Sequence, residues 1–258
     1  MSHDAYRAQL LRLSVSNCLD NLQFEQALEA AQKSIQYPAA SLPLDPVADK
    51  ETVDAQALFD WASGLEMRGL VYRHLGDIAR SLADLDLAEK ALKMILVQFP
   101  MDENYAALAK VLHHRSGAKL GIHDTEGAGL DATLAIGIRR KLAVTDPEEM
   151  DLLAGTLKAR AYTFSMRGQH NFAVMDASEA VSIRRAALPA KSDHHQRHVF
   201  AMTIYTLGYV LHACGDKPEA GKSVREAIEI LEKLAGPGAT AVVLQDLKTC
   251  LQLQALVG

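Results

Sequence analysis

The sequence predicts an all-α chain built as a solenoid of antiparallel helix pairs. Three observations predict it. Short turn signals recur at near-constant spacing between long amphipathic stretches. Small residues recur at fixed distances on both sides of each turn, and an Arg and an Asp recur at equal distances from it.

The turn signals are Leu75-Gly76-Asp77, Arg167-Gly168-Gln169 and Cys214-Gly215-Asp216, with weaker equivalents centred on His123 and Leu22. Taking Leu22, Gly76, His123, Gly168 and Gly215 as anchors gives spacings of 54, 47, 45 and 47 residues. Eleven residues before the anchors stand Leu11, Leu65, Leu112, Leu157 and Ile204, and seven before them Val15, Gly69, Ser116, Ala161 and Gly208. Five residues after the anchors come Ala27, Ser81, Ala128, Ala173 and Ala220, and twelve after them Ser34, Ala88, Ala135, Ala180 and Ala227. These offsets follow the helical i, i+4, i+7 rhythm, so each unit reads as two helices whose facing sides are small enough for close approach.

The charge pattern supports the same alignment. Arg68, Arg115 and Arg160 lie eight residues before their anchors, and Asp84, Asp131 and Asp176 lie eight after. Positions equidistant from the turn of a hairpin face each other, so each Arg is expected to meet its own Asp as a structural brace. In the first and last units both partners vanish together, leaving Ser14 with Ala30 and Leu207 with Ser223.

In chain order, the expected units are 3–37, 51–99, 102–145, 147–188 and 193–235, within a single domain covering 1–258. Asp102, Asp146-Pro147 and Asp193 are placed to cap or open first helices, while Pro38, Pro100 and Pro189 follow second helices. The segment Tyr37 to Lys50, with three prolines, reads as a loop. Gly117, Gly121, Gly127, Gly129 and Gly137 make the third unit the weakest or most hinge-like. After Gly236-Pro237-Gly238, residues 239–256 read as a capping helix with Val243, Leu247 and Leu251 turned inward, since an open solenoid end would expose its core face.

Composition agrees with helix-on-helix packing. The chain has 258 residues, 49% of them apolar but only 5% aromatic, which favours close Ala and Leu contacts over aromatic-rich sheet layers. A net charge of -5 argues against nucleic acid as a partner, because neutralising phosphates needs a basic surface. No apolar run reaches the roughly 18 residues of a membrane span, so no membrane association is expected. The start, MSHDAYRAQLLRLSV, lacks the basic opening and unbroken apolar run of a secretory signal. Cys18, Cys214 and Cys250 are odd in number and without CxxC spacing, which fits free thiols in a reducing compartment, and the cytoplasm is the expectation.

Motifs that look chemical read more simply as helix. The segment from Gly215 to Ser223 resembles a phosphate-binding loop but has one residue too many between its glycines and follows a helix. Gly127-Ala128-Gly129-Leu130-Asp131-Ala132 has the loose dinucleotide spacing, yet HDTE before it cannot be a buried strand. His194 and His198 stand one helical turn apart with Asp193 beside them, a spacing able to hold a transition metal, but no further ligand completes the set. No enzyme activity, metal or other cofactor is therefore expected.

LEMRGLVYRHLGD (65–77) and YTLGYVLHACGDKPEA (205–220) resemble the tetratricopeptide repeat (TPR) family. The resemblance covers nearly the whole chain as about five repeats. It departs from the family in a period longer than the usual one of about 34 residues, as in long-helix variants, and in the missing turn glycine of the third unit. It implies a right-handed superhelical solenoid with the capping helix at its C-terminal end, and binding of a protein or peptide along a concave groove.

In that family the first helix of each pair lines the groove. The corresponding residues here include Arg12, Ser16, Glu66, Leu70, Arg73, His113, Lys158, Tyr162, Tyr205, Tyr209 and His212, with Lys110 one turn earlier in its helix. The cations and tyrosines suit an acidic or carboxylate-ended peptide. The expected function is a non-enzymatic scaffold or adaptor. The alternatives are a regulatory module of a signalling system that changes shape on binding a peptide or response regulator, and, third, a nucleotide- or metal-dependent enzyme; self-association through an uncapped end is a further expectation. The family's clamp of paired Asn and Lys is not reproduced in this sequence.

Overall fold

The fold is described from a computed structural model of the chain, for residues 3–20, 23–39, 54–188 and 192–258. Among the described residues there are eleven helices and no strand: α1 (His3–Asp20), α2 (Phe24–Ala39), α3 (Ala55–His74), α4 (Ile78–Gln98), α5 (Asp102–Gly121), α6 (Thr125–Leu142), α7 (Pro147–Met166), α8 (His170–Ala187), α9 (His194–Cys214), α10 (Lys217–Leu234) and α11 (Ala241–Val257). They fall into two compact units, Met1–Ile138 and Arg139–Gly258, divided within α6.

In the first unit α1 packs on α2, α2 on α3, α3 on α4 and α4 on α5, while α1, α3 and α5 lie side by side as a layer of first helices. The second unit repeats the scheme, with α7 on α8, α8 on α9, α9 on α10 and α10 on α11; its first-helix layer is α7, α9 and α11.

The turns form where local chemistry requires them. Gly76, Gly168 and Gly215 adopt φ of 78°, 71° and 91°, a left-handed conformation that a Cβ disfavours. His123 takes the same role at φ 61°, so the third turn keeps its shape without its glycine. The Leu22 anchor lies outside the described residues. Helix starts are held by Asp54, which accepts from Gln56 N at 2.8 Å, and by Asp77, Asp146 and Asp216 in the same way. Asp193 forms a reciprocal capping box with Gln196. Asp102 opens α5, although Met101 before it makes no side-chain cap.

The small-residue ladder is the spine of both units. At the five- and twelve-residue offsets Ala27, Ser34, Ser81, Ala88, Ala128, Ala135, Ala173, Ala180, Ala220 and Ala227 are all 0% exposed. Leu65, Leu112, Leu157 and Ile204 pack into them, each contributing roughly 2 kcal/mol through burial. The closest approaches need glycine: a Cβ at Gly69 would stand 2.9 Å from Leu85 Cγ, and one at Gly208 2.7 Å from Val224 Cγ2. At the matching position of α5, Ser116 fits by donating its hydroxyl to Ala128 O at 2.8 Å.

The Arg/Asp brace forms in all three central hairpins. Arg68 donates two bonds of 2.7 Å to Asp84, Arg115 two of 2.8 Å to Asp131, and Arg160 bonds of 2.7 and 2.9 Å to Asp176. Both oxygens of each carboxylate are engaged, the stronger form of this contact.

Two boundary expectations and one packing expectation are revised. Helix α2 runs through Pro38 to Ala39, so Tyr37–Ala39 are helical; residues 40–50 of the expected loop, and Pro189, lie outside the described residues. In α11 Val243 is buried and Leu247 partly so, but Leu251 is 49% exposed. The stripe that starts at Val243 reaches Cys250 and Leu253, one residue before and two after Leu251, and these fill the inward positions.

Candidate functional site

The predicted groove residues lie on α1, α3, α5, α7 and α9, first helices of the two layers. Each unit's face has its own electrostatics.

In the first unit Arg12 and Lys110 are paired with acids from a neighbouring first helix. Arg12 of α1 donates to Asp60 of α3 through Nη2–Oδ1 at 3.2 Å and to Asp60 O at 3.3 Å. Glu66, only 2% exposed, meets Lys110 Nζ at 2.9 Å and His114 Nδ1, both from α5. Burial pushes the Glu66 carboxyl up, but Lys110 and His114 outweigh it and hold it down at about 2. Burial pushes His114 down, opposed by Glu66. The half-buried Arg73 lies on Gly117, where a Cβ would stand 2.1 Å from Nη1, so that glycine makes room for the guanidinium. His113 tilts against His114 with ring centroids 5.3 Å apart, Leu70 is half-buried and Ser16 is exposed.

Sequence reasoning missed Asp60, His114 and His74. His74 stacks on Phe24 at 5.7 Å, and burial, with Arg73 and His114 nearby, pushes it down to about 4. All three depend on how adjacent repeats are offset, for which one hairpin's periodicity carries no signal.

In the second unit Lys158 and Tyr162 of α7 and Tyr205, Tyr209 and His212 of α9 are all partly buried. Tyr162 and Tyr209 meet with ring centroids 5.2 Å apart, and Tyr162 also engages Thr206. Burial pushes both Tyr162 and Tyr205 up, so their phenols stay neutral. Helix α11 borders this face: His198 Nε2 lies 2.8 Å from Asp246 Oδ2, and burial pushes the Cys250 thiol up to about 12. Lys158 makes no hydrogen bond or ion pair among the described residues, and burial, with Arg184 nearby, pushes it down to about 8.

Other features of the second unit are occupied by structural contacts. A concavity of about 580 Å³ where α7 and α9 begin and α8 ends contains Arg184, but its guanidinium is closed by Asp151, Val199 O and Thr203. The residues from Gly215 to Ser223 form the end of α9, a cap by Asp216 and the first turns of α10. In the first unit Gly127–Ala132 are helical. Among the described residues no three His, Cys, Asp or Glu side chains are grouped to hold a metal, and no helix is long and apolar enough to cross a membrane.

No family model and no curated protein matches the chain at the sequence level. Solved structures do match. BtubC (BKLC) from P. vanneervenii superimposes with a TM-score of 0.65 at 14% identity, over 90% of this chain and 83% of that one. The nearly identical TPR-like repeats of a kinesin light chain candidate from Podosopora anserina give 0.61 at 15%, over 90% and 98%. A Rap protein complexed with Competence and Sporulation Factor gives 0.54 at 13%, over 98% and 74%. The chain therefore has the fold of a TPR-like helical repeat protein.

Proposed function

We propose that the protein is a non-enzymatic binding module that holds a peptide or a segment of another protein against the open faces of its first helices. The observation that carries this reading is the partly buried tyrosine cluster of Tyr162, Tyr205 and Tyr209, which offers flat amphipathic contact area on that face. The likeness to a Rap protein complexed with Competence and Sporulation Factor supports a binding role for this fold. Arg73, Lys158 and the remaining predicted positions contribute charge and shape at the contact.

Site-specific photo-crosslinking tests the reading. A benzophenone amino acid at Tyr205 or Leu70, on the open faces, is expected to capture a discrete protein or peptide from the source cell, while one at Arg225 or Lys90, on exposed sides of second helices, is not. Equal capture at all four positions, or none at the first two, defeats it. Charge reversal at Arg73 and Lys158 is further expected to abolish capture without lowering the unfolding temperature.

A further inference from the structure

Helix α8 is apolar at outward positions where the repeat is polar elsewhere. Four and seven residues after their anchors, α2 carries Gln26 and Glu29, and α10 carries Glu219 and Lys222, all exposed. At the same offsets α8 carries Phe172 and Met175, 55% and 65% exposed. Helix α6 shares part of the feature, with exposed Leu130 at the offset of Met175. Water-facing apolar side chains that adjoin one another mark contact sites more often than chance exposure does.

Phe172 and Met175 border a cavity of about 520 Å³ between the last turn of α6 and the α7–α8 hairpin, with Phe164 of α7 as its third apolar wall. The volume lies within the roughly 300–1,000 Å³ of ligand sites. Phe164 and Phe172 meet with ring centroids 5.6 Å apart and planes inclined by 40°, and Arg160 stands 5.3 Å over the Phe164 ring. The α3–α4 hairpin closes the equivalent place: Tyr72, at the offset of Phe164, is buried, with Arg68 and Arg80 over its ring at 5.9 and 5.5 Å. In the α7–α8 hairpin Phe172 stands at the offset of Arg80, and Phe164 is only partly buried.

The charges on the cavity wall cancel. Arg160 is engaged by Asp176, and Arg140 of α6 donates to both oxygens of Glu179 of α8 at 2.8 and 2.7 Å. Two arginines against two acids leave no net attraction for a charged group. Two rings and a thioether favour a ring as occupant, through tilted ring pairs and sulfur–ring contacts that an aliphatic group does not make. The half-exposed Arg140–Glu179 pair adds polar groups beside the apolar wall, the arrangement of an anchor pocket in a protein interface, where a polar rim surrounds an apolar centre.

We infer that this cavity is a second binding site, separate from the first helices, and that it takes an uncharged aromatic side chain of a partner protein. It does not rest on the function proposed above, because it uses none of the residues assigned there.

Two measurements on the full chain test it. In the first, protein labelled with ¹³C in its methionine methyl groups is titrated with N-acetyl-tryptophanamide or N-acetyl-leucinamide, and the Met175 resonance is assigned by its loss in Met175→Leu. A saturable Met175 shift with the tryptophan compound, and about tenfold weaker response to the leucine compound, is expected; an unmoved resonance, or equal response to both, overturns the ring site. In the second, pooled octapeptides bearing one Trp or Phe are passed over immobilised wild-type protein, Phe172→Arg and Met175→Lys. Each substitution installs at an exposed position the residue that another hairpin carries at that offset, and unchanged thermal unfolding confirms that the fold is kept. About tenfold weaker retention by both variants supports the site, and equal retention on all three proteins overturns it. The retained peptides are expected to bind about tenfold more tightly than N-acetyl-tryptophanamide, and equal affinity overturns the partner protein as the source of the ring.

Discussion

Arg115 and Asp131 face each other across the α5–α6 hairpin through two parallel hydrogen bonds of 2.8 Å, with side chains only 9% and 4% exposed. Arg115 also reaches Glu89 and Asp86 on α4, so it joins its own hairpin to the one before. Removing Asp131 takes both parallel bonds from Arg115, which keeps Glu89 and Asp86, and also takes the 2.8 Å contact from Lys119. Asp131→Ala is therefore expected to cost about 3 kcal/mol in urea unfolding. Asp84→Ala is expected to cost less, because Arg68 is 26% exposed and water can replace the carboxylate; equal losses would contradict this account.

The turn residues make a paired prediction. Gly168 holds φ 71° and Gly168→Ala is expected to destabilise by about 1 kcal/mol. His123, at φ 61°, already bears that strain, so His123→Gly is expected to stabilise by a few tenths of a kcal/mol, roughly the strain less the extra chain entropy of glycine. Thermal unfolding of the two variants checks both signs.

For Lys158 the linkage runs opposite to that of a paired lysine. Its folded pKa, about 8, lies below the ordinary 10.5, so between these values the unfolded chain binds more protons. Its charge thus opposes folding at neutral pH, and the penalty fades as pH rises through about 8 to 10.5. Lys158→Met is expected to unfold at a higher temperature than wild type at pH 7, with the gap closing by pH 10; a variant less stable at pH 7 would show that the lysine is structural.

Glu66 behaves in the reverse sense. Its carboxyl is held at about 2 against an ordinary 4.5, with burial opposing and Lys110 and His114 prevailing. The stability it contributes is fully present above about 4.5 and is lost as pH falls through about 2. Glu66→Gln is expected to be destabilised at pH 7, and chemical denaturation at stepped pH should show its deficit shrinking over that acid window.

Features tied to distance from a turn were legible in the sequence. The ladder of Ala27, Ser81, Ala128, Ala173 and Ala220 and the three Arg/Asp pairs follow from helical periodicity and hairpin symmetry alone. Contacts between neighbouring first helices were not, because they depend on lateral offset. Arg12 and Lys110 therefore read as free positive charge, whereas Asp60 and Glu66 face them. Lys158 occupies the same offset as Glu66, and its lack of a partner follows from Arg184 and His198 taking the nearby acids, a fact of three-dimensional competition.

The sixteen-residue separation within each Arg/Asp pair acts as a vernier on chain length. Adding one residue between the partners rotates one helix by about 100° relative to the turn and swings the carboxylate away from the guanidinium. Substitutions in the turn leave the register untouched, whereas insertions and deletions break it. The third hairpin illustrates the asymmetry: it has exchanged its glycine for His123, yet Arg115 and Asp131 remain sixteen residues apart and fully engaged.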